Sequence, residues 1–168
     1  IISDNSEFSN AFEVTTYKKL STKSDTVGKI SFFAKTITGL SDDVRISKRA
    51  YMPYNRLRGF EKGKVGPVDN SDFIGGNYVS AVNLSSNLPG FFSTIENIDF
   101  SYFIDVGNVW GVDYDSAIDT SNKIRSSTGI ALDLLTPVGP LSFSLTQPIS
   151  KASTDKTETF RFSLGTTF

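Results

Sequence analysis

Polar and apolar residues alternate with a period of two along most of this chain. In the run Ile98 to Gly107, residues Ile98, Phe100, Tyr102, Ile104 and Val106 share one face, and Asp99, Ser101, Phe103, Asp105 and Gly107 share the other. A helix would mix the two sets, so the run predicts a strand. Phe160, Phe162, Leu164, Thr166 and Phe168 repeat the pattern against Thr159, Arg161, Ser163, Gly165 and Thr167. Leu141, Phe143, Leu145 and Ile149 do so against Ser142, Ser144 and Thr146, and Ile130, Leu132 and Leu134 against Gly129, Ala131 and Asp133. Seven strands are predicted: 8–20, 26–38, 75–88, 96–109, 124–136, 140–149 and 157–168. Leu88-Pro89-Gly90, Pro137-Val138-Gly139-Pro140 and Ser153-Thr154-Asp155-Lys156 punctuate them as turns.

The fold class is therefore all-β and antiparallel, and two architectures share this pattern: a soluble β-sandwich and a transmembrane β-barrel. Three features favour the barrel. The predicted strands are mostly ten or more residues long, the length a bilayer requires, whereas soluble strands usually run to about five or six. Short turns alternate with longer polar connections at 39–74 and 110–123, as barrels alternate periplasmic turns with external loops. Phe73, Tyr78, Phe91, Phe92, Trp110 and Tyr114 fall near strand ends, where an interfacial aromatic girdle belongs.

Composition narrows the chemistry. The chain has neither His nor Cys, which removes the usual general base, zinc ligands, thiol nucleophiles and disulfides. Ser126, Ser127 and Thr128 lack a base nearby in sequence. No glycine spacing matches a phosphate loop. Asp113, Asp115 and Asp119 lack the calcium-loop spacing and read as a solvated acidic loop. The expectation is a non-enzyme with no metal and no cofactor. A net charge of −1 gives no electrostatic case for nucleic acid. The longest uncharged stretch, Phe73 to Ile95, is broken by glycines, asparagines and a proline, so it is not a transmembrane helix. A start at Ile1 suggests a processed chain or a fragment.

The connection 39–74 breaks the rhythm. It carries seven basic residues (Arg45, Lys48, Arg49, Arg56, Arg58, Lys62, Lys64) and five acidic ones (Asp42, Asp43, Glu61, Asp69, Asp72). Residues 75–112 contain no Lys or Arg. A long loop of this kind inside a compact unit is usually functional or disordered. Arg58 reads either as a solvated loop arginine or, if the loop folds into a lumen, as the bidentate partner of the inward-facing Asp105. Gly59 reads as an ordinary turn glycine or as a position of close wall approach. Phe60 reads as a loop anchor or a plug against the lumen wall. Phe103 faces the same way as Asp105, so it is placed to pack beside it. Arg56 and Leu57 are read as ordinary loop residues.

Leu57-Arg58-Gly59-Phe60 resembles the loop motif of the BamA-type outer-membrane assembly and secretion superfamily. The similarity continues in order through Gly75-Gly76-Asn77, Phe103 to Trp110, Arg125 to Gly129, Thr136 to Leu141, Gln147-Pro148 and Phe160 to Phe168. The resemblance implies that residues 1–168 are the carboxy-terminal part, about seven strands, of a sixteen-stranded outer-membrane barrel, with 39–74 as an external loop folded into the lumen. It implies a contact from Arg58, Gly59 and Phe60 to Asp105 and Phe103. The last strand, with Gly165 and Phe168, would form a lateral seam through which unfolded β-barrel clients enter the lipid of the outer membrane. Accessory lipoproteins would bind periplasmic repeat domains that lie outside this chain. Family members often carry a Glu as a second partner of the loop arginine. The matching position here is Ser85, which leaves Asp105 to act alone. A two-partner secretion pore of the same superfamily, a passive porin or surface antigen, and a soluble β-sandwich binding module are the alternatives.

Overall fold

The computed structural model describes residues 6–89, 97–113, 123–137 and 139–165. Seven strands form one antiparallel sheet: β1 (Glu7–Lys19), β2 (Val27–Gly39), β5 (Tyr78–Asn87), β6 (Ile98–Trp110), β7 (Arg125–Thr136), β8 (Gly139–Ser150) and β9 (Phe160–Leu164). Two further short strands, β3 (Val68–Asp69) and β4 (Asp72–Phe73), make a hairpin inside the long connection. The sheet order is β1-β2-β5-β6-β7-β8-β9, so each large strand pairs with its neighbour in sequence. Among the described residues β1 and β9 are unpaired edges, which makes the sheet an open portion of a barrel.

The period of two becomes two chemically different faces. Phe12, Ile30, Phe32, Leu84, Tyr102, Ile130, Leu145, Phe160, Phe162 and Leu164 stay exposed on the outer face. An apolar surface of this extent is unsuited to water and suited to lipid. The inner face carries Ser31, Asn83, Asp105, Ser127, Ser144 and Arg161, and it is this face that the connection between β2 and β5 covers. The buried core therefore lies between loop and wall: Ile37, Val44, Ala50, Met52, Leu57, Phe60, Val65, Val79, Ala81 and Val109 pack together there, with Phe33 against them.

Proline positions follow the hydrogen-bond pattern. Pro140 sits at the start of β8, and Pro148 sits where the β7–β8 register shifts beside Ser126 and Ser127. Gly129 admits Phe103 across the β6–β7 ladder, since a Cβ there would stand 2.8 Å from the Phe103 ring and 2.1 Å from the Leu145 carbonyl.

Two strand boundaries and one aromatic placement are corrected. The third large strand begins at Tyr78, not 75, because Gly75 has φ +69° and Gly76 bridges back to Ala50 of the loop. The last strand begins at Phe160, not 157. Thr157 and Glu158 pair instead with Phe60 and Gly59 of the loop, and 166–168, including Phe168, lie outside the described residues. Phe73 is not part of a girdle; it belongs to the β3–β4 hairpin, with the Lys64 ammonium 5.1 Å from its ring centre. Tyr78 and Trp110 do stack at the strand ends, 5.7 Å apart, while Phe91, Phe92 and Tyr114 lie outside the described residues.

Candidate functional site

The long connection is built from short pieces, each tied to the wall. A 3-10 turn spans Ile46–Lys48. The β3–β4 hairpin turns through Asn70 and Ser71, both at positive φ, the geometry of a two-residue hairpin turn. Asp113 is not the solvated acid expected from sequence. Its carboxylate accepts from the Val44 N–H at 2.9 Å and the Asn77 amide at 2.6 Å, and lies 3.8 Å from the buried Arg49 guanidinium. Asp115 and Asp119 lie outside the described residues.

At the loop tip Arg58 meets Asp105. Nε and Nη2 of Arg58 donate to the two carboxylate oxygens at 2.7 and 2.8 Å, and the Arg58 backbone N–H donates to Oδ2 at 3.1 Å. A fourth donor is Asn83 Nδ2, 2.8 Å from Oδ1. Asn83 stands directly opposite Asp105 in the β5–β6 register, whereas Ser85 stands opposite Phe103. Asn83 is thus a partner of Asp105 and not of Arg58; among the described residues the Arg58 guanidinium pairs with Asp105 as its acidic partner, as a serine at position 85 implied. The guanidinium carbon lies 3.4 Å from the centre of the Phe103 ring, so Arg58 is stacked on one wall residue and forked onto another. Asp105 and Phe103 are 0% exposed, so the buried carboxylate is matched by four hydrogen bonds, while the Arg58 side chain keeps partial access to the lumen. The Arg58 carbonyl in turn accepts from Ser127 Oγ of β7 at 2.5 Å.

Gly59 meets both conditions that exclude other residues. Its φ is +86°, and a Cβ would lie 2.5 Å from Thr146 Cγ2. Phe60 is buried in the loop–wall core, and Leu57 is buried beside it, which corrects the reading of Leu57 as an ordinary loop residue. Arg56 is corrected too. It donates to Ser31 Oγ of β2 at 2.8 Å, pairs with Glu13 of β1, and lies 5.4 Å from the Phe33 ring centre, while its carbonyl accepts from Asn83. The two arginines of the motif thus reach opposite ways, Arg56 to β1 and β2 and Arg58 to β6.

The connection between β8 and β9 completes the enclosure. Arg125 and Asp155 form a fully buried bidentate pair at 2.9 and 3.1 Å, and Asp155 also accepts from the Ala152 N–H at 2.6 Å. This holds 151–159 against the loop, where Glu61 N–H donates to the Lys156 carbonyl and Glu158 N–H to the Gly59 carbonyl. Arg161 of β9 donates to the Phe60 carbonyl at 2.6 Å and to the Tyr54 carbonyl, pairs with Glu158, and lies 3.8 Å from the Tyr54 ring centre. Asn83, Ser127 and Arg161 escaped the sequence reading as site residues. The signal was available for Arg161: it is a single charge on an inward face otherwise made of Thr159, Ser163 and Gly165, the same reasoning that singled out Asp105.

Gly165 follows β9 directly, at φ +131°, and its N–H donates to the Pro140 carbonyl. Among the described residues β9 pairs with β8 over Phe160–Leu164, and the Thr146 N–H to Thr159 carbonyl bond continues the contact before it.

Residues 1–168 match the model of the Omp85 superfamily domain over their full length. The chain belongs to the Omp85 superfamily. Within it the similarity is to the BamA type. The outer membrane protein assembly factor BamA of Neisseria meningitidis serogroup B is 31% identical over 142 residues, covering 67% of this chain, and that of Neorickettsia risticii is 27% identical over 128 residues, covering 74%. The chain spans 17% of the length of each of these relatives. The crystal structure of BamA from Haemophilus ducreyi lacking POTRA domains 1–3 superposes with a TM-score of 0.86 at 26% identity, over 96% of this chain and 35% of that one. This Omp85 chain is accordingly a carboxy-terminal part of an outer-membrane β-barrel, and its open sheet is that of a partial barrel.

Proposed function

We propose that this chain is the barrel portion of an outer-membrane protein assembly factor, one that folds β-barrel clients and inserts them through a seam between β9 and the first strand of the complete barrel. The observation that carries this reading is the loop tip held on the inner wall by Arg58, Asp105 and Phe103, in a sheet whose described edge is β9. An edge strand of this kind offers unpaired backbone groups to an incoming client strand, and strand pairing adds affinity by main-chain hydrogen bonds. Lipid burial of the client's apolar face then drives insertion downhill, with no bond made or broken and no cofactor consumed. On this reading the chain is not an enzyme. Its partners are unfolded barrel clients and outer-membrane lipids, with accessory lipoproteins reached through periplasmic domains of the whole protein.

The loop's part is to fix the inner wall while the seam works. Phe103 and Asp105 stand on β6, three strands from β9, so a docked loop spans the sheet and holds its curvature. The experiment is reconstitution of the full-length protein in liposomes of outer-membrane lipids. Insertion of unfolded barrel clients should be faster than into empty liposomes. Export of one soluble partner with no acceleration of barrel insertion would favour the two-partner secretion pore, and solute leakage alone would favour a passive porin.

A further inference from the structure

We propose that Arg161 is a positioning residue that couples the loop to the seam strand, so that undocking the loop loosens β9. The inference rests on the reading of β9 as the seam strand. It starts from what holds β9 in place. Among the described residues its ladder to β8 covers Phe160–Leu164, with the Thr159 carbonyl accepting from Thr146 N–H, and the two residues before that pair with the loop: Thr157 bridges Phe60, and Glu158 N–H donates to the Gly59 carbonyl at 3.1 Å. Arg161 stands within β9 and points inward. Its guanidinium reaches two loop carbonyls, those of Tyr54 and Phe60, which lie on either side of Arg58. The Tyr54 ring lies 3.8 Å away and Glu158 completes the fork. A planar guanidinium with several fixed donors suits a task that a flexible ammonium does not.

The geometry makes one side chain report the state of the loop to the edge of the sheet. While Arg58 is docked, the Tyr54 and Phe60 carbonyls sit where Arg161 needs them. When the tip lifts, a nearly buried guanidinium loses two acceptors at once, a costly state that β9 relieves by moving with the loop or by fraying from β8. A purely local role for Arg161 would stabilise β9 whatever Arg58 does. A coupling role makes the effect of Arg58 on β9 depend on Arg161.

The test is amide hydrogen exchange of the full-length protein in lipid nanodiscs, read over the β8–β9 ladder, for Arg58→Ala, Arg161→Ala, the double variant, and Arg161→Lys alone and with Arg58→Ala. The expected result is that Arg58→Ala speeds ladder exchange by about tenfold or more in the Arg161 background, and adds little beyond Arg161→Ala or Arg161→Lys. Arg161→Lys keeps the charge and most of the side chain, and carries the comparison should Arg161→Ala fail to fold. Ladder protection that ignores Arg58→Ala, or that falls equally in every background, would overturn the coupling. Client insertion measured on the same unsubstituted protein separates the two readings: no insertion defeats the assembly function, while the exchange comparison still decides the coupling.

Discussion

At the scale of single residues, the latch is asymmetric. Asp105 is wholly buried, whereas the Arg58 side chain is 21% exposed. Removing Arg58 strands a buried carboxylate with one remaining side-chain donor, Asn83, while removing Asp105 leaves a guanidinium that still reaches lumen water. Breaking a buried pair by deleting one partner typically costs about 3–5 kcal/mol, so Arg58→Ala should undock the loop more completely than Asp105→Ala. Limited proteolysis of loop residues 54–64 in the full-length protein reads this directly, with faster cleavage expected in Arg58→Ala. Gly59→Ala should undock the loop as well, for two separable reasons. The clash is with Thr146 Cγ2 at 2.5 Å, and the backbone strain comes from φ +86°. Thr146→Ser removes the clashing methyl, so it should restore part of the protection lost in Gly59→Ala, leaving the strain of about 1–2 kcal/mol from the left-handed backbone. No recovery in the double variant would mean that the methyl is not what excludes a side chain.

At the scale of elements, the strands were legible because alternation states both period and face. The inward parity of Asp105 and Phe103 follows from counting along β6 alone. What alternation cannot convey is competition for backbone groups. Residues 157–159 have strand-like sequence, yet the loop takes Thr157 and Glu158, and the last strand begins only at Phe160. The loop was legible only in part. Its charge and its RGF tripeptide marked it, but Leu57 and Arg56 read as filler because a loop that forms a core against a wall has no periodicity to declare it. Asn83 was hidden for a related reason: the residue opposite Asp105 is set by strand register, which alternation along one strand does not state. The buried position of Leu57 gives the loop a hydrophobic anchor independent of the ion pairs. Leu57→Ala should therefore cost about 2–5 kcal/mol of docking free energy, seen as increased loop proteolysis at unchanged strand content by circular dichroism. Loop protection equal to that of the unsubstituted protein would show that the polar contacts alone suffice.

At the scale of the whole molecule, the sheet carries its apolar residues outward and its charges inward, the reverse of a soluble sandwich. The expressed chain should need detergent or lipid to stay dispersed and should show β-type circular dichroism there; a monomeric fold stable without detergent would contradict the barrel assignment. The inner face gathers three arginines at one loop: Arg56 toward β1 and β2, Arg58 toward β6, and Arg161 from β9. The loop thereby ties both edges of the sheet to its middle, and this gives the assembly reading a mechanical basis. The measurement that tests it most directly is client insertion by the full-length protein in liposomes, for Arg58→Ala, Asp105→Ala and the double variant. Each single change should slow insertion by about tenfold or more, and the double variant should be no slower than the worse single, as two ends of one contact require. Full insertion activity in both single variants would contradict the account.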